Sequence, residues 1–572
     1  MKLVCLDIEN FRGIKKISIT FGPTTVLVGE NNTGKSSILD ALQICLSRSM
    51  IRRGGQFNEY DYHLDSEEGH PGTAGPISIT LHFSEISEDE WPDPVLQSLD
   101  PAPQVDAVTG FNTVTFRVTS SYNKDSGDYI TTWAFLDGAG NELVKAKNPR
   151  TLLALQQFSP LFYLAALRDA GQEFRPKSQF WGPFVKSLKL EDATKTELEK
   201  ALCDLNQKVL DSHTAFEDVR ARLKETTKLI PLGCDDPVHI QALPGKVFDM
   251  LSKTQVMLNC RSGAKLPLSR HGEGMQSLAV LFLFDAFLKS RLAEDYDSDA
   301  EPILALEEPE AHLHPSAIRS LGELIQEIDG QKIITTHSGD ILASVPLSSI
   351  RRLARHDGEI KVFQIQPDTL SPEDMEKVTY QIRSQRGHLL FARCWLLVEG
   401  QTEYRLLPEL ARQLNIPLDI HGICCMEFSQ FGKLDMIIQM ADDLGITWHV
   451  MTDNDDAGAT YAAKVRGKLK GRNEAQHLSV LPEKDIEHFL WSKKYDSVYK
   501  SYVSENQWAT ISIPETHPDY PTQVIRSSIK STSKPFLATA IAIEVKKTGS
   551  PGIPAELSAV LNAAVQLAEK VA

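Results

Sequence analysis

Two sets of side chains in this chain have types and spacings suited to phosphate chemistry. The first is Gly29-Glu-Asn-Asn-Thr-Gly34-Lys35-Ser36-Ser37, a GxxxxGKS loop between an apolar strand, TTVLVGE, and the helical stretch ILDALQICL. Such a loop aims backbone N–H groups and a helix N-terminus at phosphates, with the lysine reaching the terminal phosphates and the following hydroxyl holding magnesium. Gly29, Asn32, Gly34, Lys35, Ser36 and Ser37 are therefore candidate ATP contacts. The second set is TDNDDAG at 452–458, where Asp453, Asn454, Asp455 and Asp456 stand in a row, together with Glu399 and Glu403 upstream. Calcium, catalytic magnesium and a solvated turn are the three readings of such a row. A calcium loop starting at Asp453 needs an oxygen ligand at its fifth position and a bidentate glutamate at its twelfth, but Ala457 and Lys464 stand there. All-oxygen carboxylate ligation instead suits magnesium or manganese.

These acids need elements to hold them. CWLLVEGQTEYRLL reads as an apolar strand ending at Glu399, with Glu403 one helical turn into the next helix, so both carboxylates can face one point. ITWHVMTDNDDAG repeats the pattern, with Gly458 permitting the turn into a second helix. Two parallel strands ending side by side would bring Glu399, Glu403, Asp453 and Asp455 to the carboxyl edge of one α/β sheet. Lys464, Arg466, Lys468, Lys470 and Arg472 follow closely and read either as a nucleic-acid path or as a solvated helix face.

The phosphate loop also requires a partner strand. EPILALEEPEAHLHP supplies a buried strand ending in Glu307 and Glu308, one carboxylate to orient magnesium and one to activate water. KIITT then ends in His337, either a polarising group at the γ-phosphate or a helix cap. Between residues 196 and 223, Leu198, Leu202, Leu205, Val209, Ser212, Phe216, Val219 and Leu223 alternate by four and three behind a Thr196/Glu199 capping box. That pattern fits a coiled-coil-like pairing of two copies and equally a helix packed on its own core. Arg168 and Arg175 could reach phosphate or form surface salt bridges.

With 572 residues the chain needs more than one hydrophobic core. Its 42% hydrophobic and 24% charged fractions are those of a soluble globular protein, and eight cysteines without CxxC or zinc-ligand spacing read as reduced thiols. Asp7 and Glu9 interrupt any secretory signal, and no apolar run reaches 18 residues, so a cytosolic location without membrane contact is expected. A net charge of −16 argues against a surface coated for nucleic acid but permits local basic stripes.

Ser269-Arg-His-Gly272-Glu-Gly274 ahead of an apolar helix resembles the signature segment of ABC-type ATPases, and with NFRG at 10–13 and EEPEAHLHP at 307–315 the resemblance is to their RecF and SMC branch. It implies ATP sandwiched at a dimer interface, with Ser269, Gly272 and Gly274 closing on ATP held by another copy. Glu399-Gly400 with Glu403, then Asp453-x-Asp455, resembles a TOPRIM domain. The combination in one chain resembles the OLD (overcoming lysogenization defect) family of nucleases, including the ATPase-nuclease component of Gabija antiphage systems. The expected fold is α/β: an ABC/RecF-like ATPase domain at 1–182 and 231–370, a helical dimerisation insertion at 183–230, a linker at 371–390, and a TOPRIM domain at 391–572. The resemblance implies Glu399, Glu403, Asp453 and Asp455 as metal ligands. It further implies an acid after the next strand, among Glu483, Asp485 and Glu487 with Glu487 favoured. A phosphate-neutralising lysine is also implied, Lys534 with Lys530 as the alternative, and a polar segment around Ser429 and Lys433. The implied activity is ATP-regulated, magnesium- or manganese-dependent nicking or cleavage of DNA by a homo-oligomer, in phage or foreign-DNA defence, with a helicase-like protein as a further partner. A RecF-like DNA-binding scaffold with an inert TOPRIM site, or an RNA-cleaving toxin, are the competing readings.

Overall fold

The computed structural model describes the chain apart from residues 48–56, 67–68, 166–190, 213, 228–239, 244–245, 248–255, 260–264, 357, 367–370, 385–386, 432 and 572. Arg168 and Arg175 lie outside the described residues. Two compact units are present: Met1–Tyr163, Glu301–Glu310 and Pro315–Ala572 form one, and Leu164–Ala300 with Ala311–His314 form the other.

The first unit opens with β1 (Lys2–Phe11), β2 (Ile14–Thr20) and β3 (Thr24–Gly29), followed by β4 (Ile77–Ser84), β5 (Gln104–Val105), β6 (Asn112–Asn123), β7 (Asp128–Leu136) and β8 (Leu161–Leu164). β2, β1, β4, β6 and β5 pair antiparallel in that order, with β7 also on β6. Much of β6 alternates buried with half-buried positions, as expected when one face of an antiparallel sheet covers a core.

β3 belongs to a different sheet. Beyond β9 (Met257–Asn259) and β10 (Lys265–Pro267) of the second unit come β11 (Ile303–Glu307), β12 (Gln331–Thr335), β13 (Ile350–His356) and β14 (Glu359–Phe363). The sheet order is β14-β13-β3-β12-β11-β8, with β13, β3, β12 and β11 mutually parallel. Every residue of β12 is buried, and β3 and β11 are buried except at one end, which is why they read as continuous apolar runs rather than alternating ones. The central position of β3 puts the glycine loop at the carboxyl edge of the sheet, with Glu307 and the segment after Thr335 beside it.

The last sheet is parallel throughout: β15 (Cys394–Val398), β16 (Ile423–Glu427), β17 (Thr447–Thr452) and β18 (Leu478–Val480), in the order β16-β15-β17-β18. The chain steps from β15 to one side and then to the other, so a topological switch point lies between β15 and β17, where crossovers diverge and leave a crevice. The helix Ala555–Glu569 packs on β15 and β17, and the helix Lys534–Val545 runs against the helix Gln401–Gln413. Much of the stretch read as a linker is instead a helix, Pro372–Ser384, with Val378 and Ile382 buried.

Arg352 on β13 joins the two parallel sheets. Its guanidinium is buried and donates to the carbonyls of Leu390 (3.2 Å), Ala392 (2.8 Å), Leu444 (3.0 Å) and Gly445 (3.1 Å), which flank β15 and β17. Beside it the Arg393 guanidinium clasps both carboxylate oxygens of Glu30, a residue of the glycine loop.

In the second unit the heptad run is not one helix. It divides into Asp192–Asp211 and Thr214–Thr227, which pack on each other. The capping box is also absent, because the helix begins at Asp192. Thr196 therefore lies inside it and donates its hydroxyl to the Asp192 carbonyl. Leu205, Val219 and Leu223 are exposed, and the one buried residue of the first helix is Asn206, whose amide is bonded to Ile240, Ala242 and Leu243. No helix among the described residues is long and apolar enough to cross a membrane.

Candidate active site

At the end of β3 the chain turns through Gly34, whose φ of 85° is open to glycine and strained for other residues, and starts the helix Lys35–Leu46. Lys35 folds back on the loop and donates to the carbonyls of Gly29 and Glu30, both at 2.8 Å. Burial lowers its pKa to about 8 against the pull of Glu308 and Glu30, a shift that the negative charge of an arriving phosphate would oppose. Ser36 donates to Glu307 at 2.5 Å, and the other Glu307 oxygen accepts from Tyr163 at 2.6 Å, a partner that sequence reasoning missed. Glu308 sits at φ 42° with its N–H bonded to the Thr335 carbonyl, a left-handed backbone that aims its side chain away from the strand line. Its carboxylate lies 3.5 Å from Nε2 of His337, whose pKa burial and Lys35 push below the ordinary histidine value. Lys35, Ser36, Glu307, Glu308 and His337 thus gather at one sheet edge; Asn32 and Ser37 lie on the loop and helix flanking them. Ser269, Gly272 and Gly274 belong to the second unit, where Gly272 caps the helix Glu273–Asp295.

The acids gather at the switch point between β15 and β17. Val398 pairs with Met451, so Glu399 and Asp453 leave adjacent strand ends, and an oxygen of Glu399 accepts from the Asp453 N–H at 3.3 Å. Glu403 is buried on the first turn of Gln401–Gln413. Asp455 caps the helix Asp456–Lys468, accepting from the Gly458 N–H at 2.8 Å. Glu487 accepts from Thr402 Oγ1 at 2.7 Å and from Lys534 Nζ at 3.1 Å, so the favoured acid and lysine meet directly, beside a threonine that sequence reasoning did not single out. Its position next to Glu403 in the EGQTE run was the available signal. Asp485 is held by His488, whereas Ser429 bonds Glu427 and Lys433 lies 3.8 Å from Asp374, so neither of the latter two is engaged with these acids. The basic run is spent on its own domain: Lys464, Arg466, Lys470 and Arg472 pair with Asp435, Glu474 and Asp442, and Lys468 with Gln439.

Burial and mutual repulsion push these carboxyl groups toward their protonated forms. Burial, then Glu403 and Glu399, raise Asp453 to about 8; burial, then Glu487, raise Glu403 to about 7. Burial raises Glu399 as well, with Asp455 adding to it. Lys534 is lowered by burial but raised further by Glu487, Glu403 and Asp485, so it stays charged. Among the described residues no three His, Cys, Asp or Glu side chains converge as a ready-made ion cage. The reason is visible in the contacts: Asp455 is turned to its helix and Glu487 to Thr402 and Lys534. The donor set nevertheless fits a hard divalent cation, because Oδ1 of Asp453 is buried without a hydrogen-bond partner among the described residues and the surrounding acids are all oxygen donors. Glu399, Glu403, Asp453, Asp455 and Glu487 would hold it.

Two expectations follow. Metal-free, the raised carboxyl groups favour the fold in their protonated form, so their contribution falls as pH rises from about 4 toward 7 and 8. Magnesium must displace those protons, so its affinity and its thermal stabilisation of the protein are expected to be weak at pH 6, to rise to pH 8 and then to level, with proton release measurable by calorimetry in two buffers. Equal magnesium shifts at pH 6 and 8 would contradict this arrangement. The second concerns Gly458. The sequence suggested a turn glycine, but the residue lies inside the helix Asp456–Lys468 and an added Cβ would come 2.0 Å from the Asp453 carbonyl oxygen. Gly458→Ala must displace Asp453, and a shift of about 1 Å at such a site costs roughly a hundredfold in rate. ATP binding measured alongside should not change.

Comparisons with known proteins agree with this geometry. Residues 1–388 match the family described as "Protein of unknown function (DUF2813)", and residues 390–455 match the "Overcoming lysogenization defect protein-like, TOPRIM domain". The chain is 29% identical to "Uncharacterized protein YbjD" of Escherichia coli (strain K12), over 99% of each chain. It is 25% identical to "Old nuclease" of Escherichia phage P2, over 80% of this chain and 77% of that one. It is 22% identical to "Endonuclease GajA" of Bacillus cereus (strain VD045), over 80% and 75% respectively. The glycine loop on its parallel sheet, the acids at the β15/β17 switch point and these matches together mean that the chain belongs to the DUF2813 family, carries an overcoming-lysogenization-defect-like TOPRIM domain, and is a nuclease with an ATPase-like domain.

Proposed function

We propose that the protein is an ATP-regulated, divalent-metal-dependent endonuclease that nicks or cleaves DNA, acting as a homodimer or higher homo-oligomer in defence against phage or other foreign DNA. The observation that carries this reading is the meeting of Glu399, Glu403, Asp453 and the Glu487–Lys534 pair at one strand edge, with a buried Asp453 oxygen unpartnered among the described residues. When bound there, a divalent cation supplies Lewis-acid stabilisation of the phosphate and activation of water. The chain's own contribution is electrostatic. Lys534 presents a half-exposed ammonium that can cover phosphate charge, and Thr402 fixes Glu487 so that the lysine is not drawn deeper among the acids.

Regulation by ATP is supported by the Glu30–Arg393 pair and by the Arg352 carbonyl contacts, because a phosphate entering the loop acts on a backbone tied directly to the foot of β15. The exposed apolar positions of the helices Asp192–Asp211 and Thr214–Thr227 support self-association, and "Endonuclease GajA" as a relative supports endonuclease activity. The test is incubation of supercoiled plasmid with the purified protein and magnesium or manganese, with and without ATP. Nicked and linear products whose yield depends on ATP are expected. No product with either metal in either nucleotide state, while DNA binding persists, would leave a DNA-binding scaffold instead.

A further inference from the structure

Two elements that wall the acid cluster also carry exposed aromatic rings. The helix Lys534–Val545 begins with the lysine bonded to Glu487 and, two residues on, exposes Phe536, 49% accessible. The helix Asp496–Ser501 packs against it and buries Tyr499, whose hydroxyl is raised by burial and by Glu487, Asp485 and Glu403. Just past its end stands Tyr502, 36% accessible, its ring edge-to-face with Phe536 at 5.2 Å between centroids. Ser504 bonds Ser531 at 3.1 Å, which fastens this loop to Lys530-Ser-Thr-Ser-Lys534, a run of three hydroxyls between two lysines. Lys530 makes no ion pair among the described residues.

We propose that Tyr502 and Phe536 form a stacking platform for an unpaired base of the DNA strand held at the acid cluster, with the Lys530–Lys534 segment taking its backbone. Exposed aromatic rings stack any base through its π face, and lysines serve the flanking phosphates, the composition of sites that hold single strands. In a duplex the bases are already stacked on one another, so the platform gains an occupant only where the strand is frayed, flapped or flipped. This rests on the nuclease reading and adds to it a preference for DNA with unpaired bases next to the cut.

The test is a binding measurement that does not depend on cleavage. Fluorescence anisotropy with phosphorothioate-linked single strands and a fully paired duplex of the same sequence would compare the wild-type chain with Tyr502→Ala/Phe536→Ala. Both replaced rings are solvent-exposed, and circular dichroism checks the fold. The double variant is expected to lose roughly tenfold in affinity for the single strand and little for the duplex, and 2-aminopurine placed in the strand should lose its stacking quench. Unchanged single-strand affinity and quench would overturn the platform, as would an equal loss on both DNAs or a change in oligomeric state with DNA binding intact. A wild-type protein that binds in this ring-dependent way yet never cuts would sink the nuclease reading alone.

Discussion

Asp453→Asn is expected to abolish cleavage while leaving ATP binding as in the wild type. The substitution preserves shape and removes the charge that a cation must meet, at the carboxylate whose Oδ1 is buried and unpartnered among the described residues. Cation stabilisation of a reacting phosphate is worth several kcal/mol, so a loss on the order of a thousandfold or more in rate is expected. Asp456→Asn, three positions along the same acidic row but exposed on the first turn of its helix, should stay within about twofold. Plasmid nicking by both variants decides the matter: comparable loss from both would mean that the row acts through its overall charge and not through a particular carboxylate.

The second large effect is structural. Arg352→Met keeps an unbranched apolar stem but removes the guanidinium that donates to four buried carbonyls, those of Leu390, Ala392, Leu444 and Gly445. Burial lowers the pKa of this guanidinium only to about 10, so it is charged at neutral pH and held by carbonyl oxygens alone, with Glu30 and Arg393 acting on it in opposite directions. Charge-assisted hydrogen bonds of this kind contribute about 1.5 to 3 kcal/mol each, and orphaned acceptors add a penalty. A loss of about 3 to 5 kcal/mol in urea denaturation is expected. The diagnostic feature is where it falls. The methionine variant should unfold in two steps, with the parallel sheets melting separately, because the tie between β13 and the feet of β15 and β17 is gone. A single transition at the wild-type midpoint would show that Arg352 does not join them.

The sequence made the acid cluster legible because each half of it is local. A strand end followed by a helical turn fixes the direction of Glu399 and Glu403, and the same grammar repeats at Asp453, so only the adjacency of β15 and β17 had to be supplied, by a general rule about switch points. Glu487 and Lys534 were reached through family resemblance alone, since helix-on-helix packing brings them together and leaves no mark in spacing. Thr402 and Tyr163 were missed for a related reason: each acts through one hydrogen bond to an acid distant in sequence. Local motifs also misled. Thr196 and Glu199 have capping-box spacing, but Asp192 begins the helix earlier and leaves the threonine in its interior. The heptads between 196 and 223 register apolar spacing and not continuity, so the break after Asp211 was invisible to them.

The placement of β3 has a consequence for synthesis on the ribosome. Both of its neighbours are made long after it: Thr24 pairs with Lys332 on one side and Val26 with Ile350 on the other. At about 5 to 20 residues per second the glycine loop therefore waits on the order of tens of seconds, with both strand edges open, before its sheet can close. During that interval β1, β2, β4, β5, β6 and β7, which pair only among themselves, can fold as a hairpin-rich layer. The nascent chain thus exposes an aggregation-prone apolar strand between an early folded sheet and a late one, and the nucleotide site is among the last parts of the head to exist.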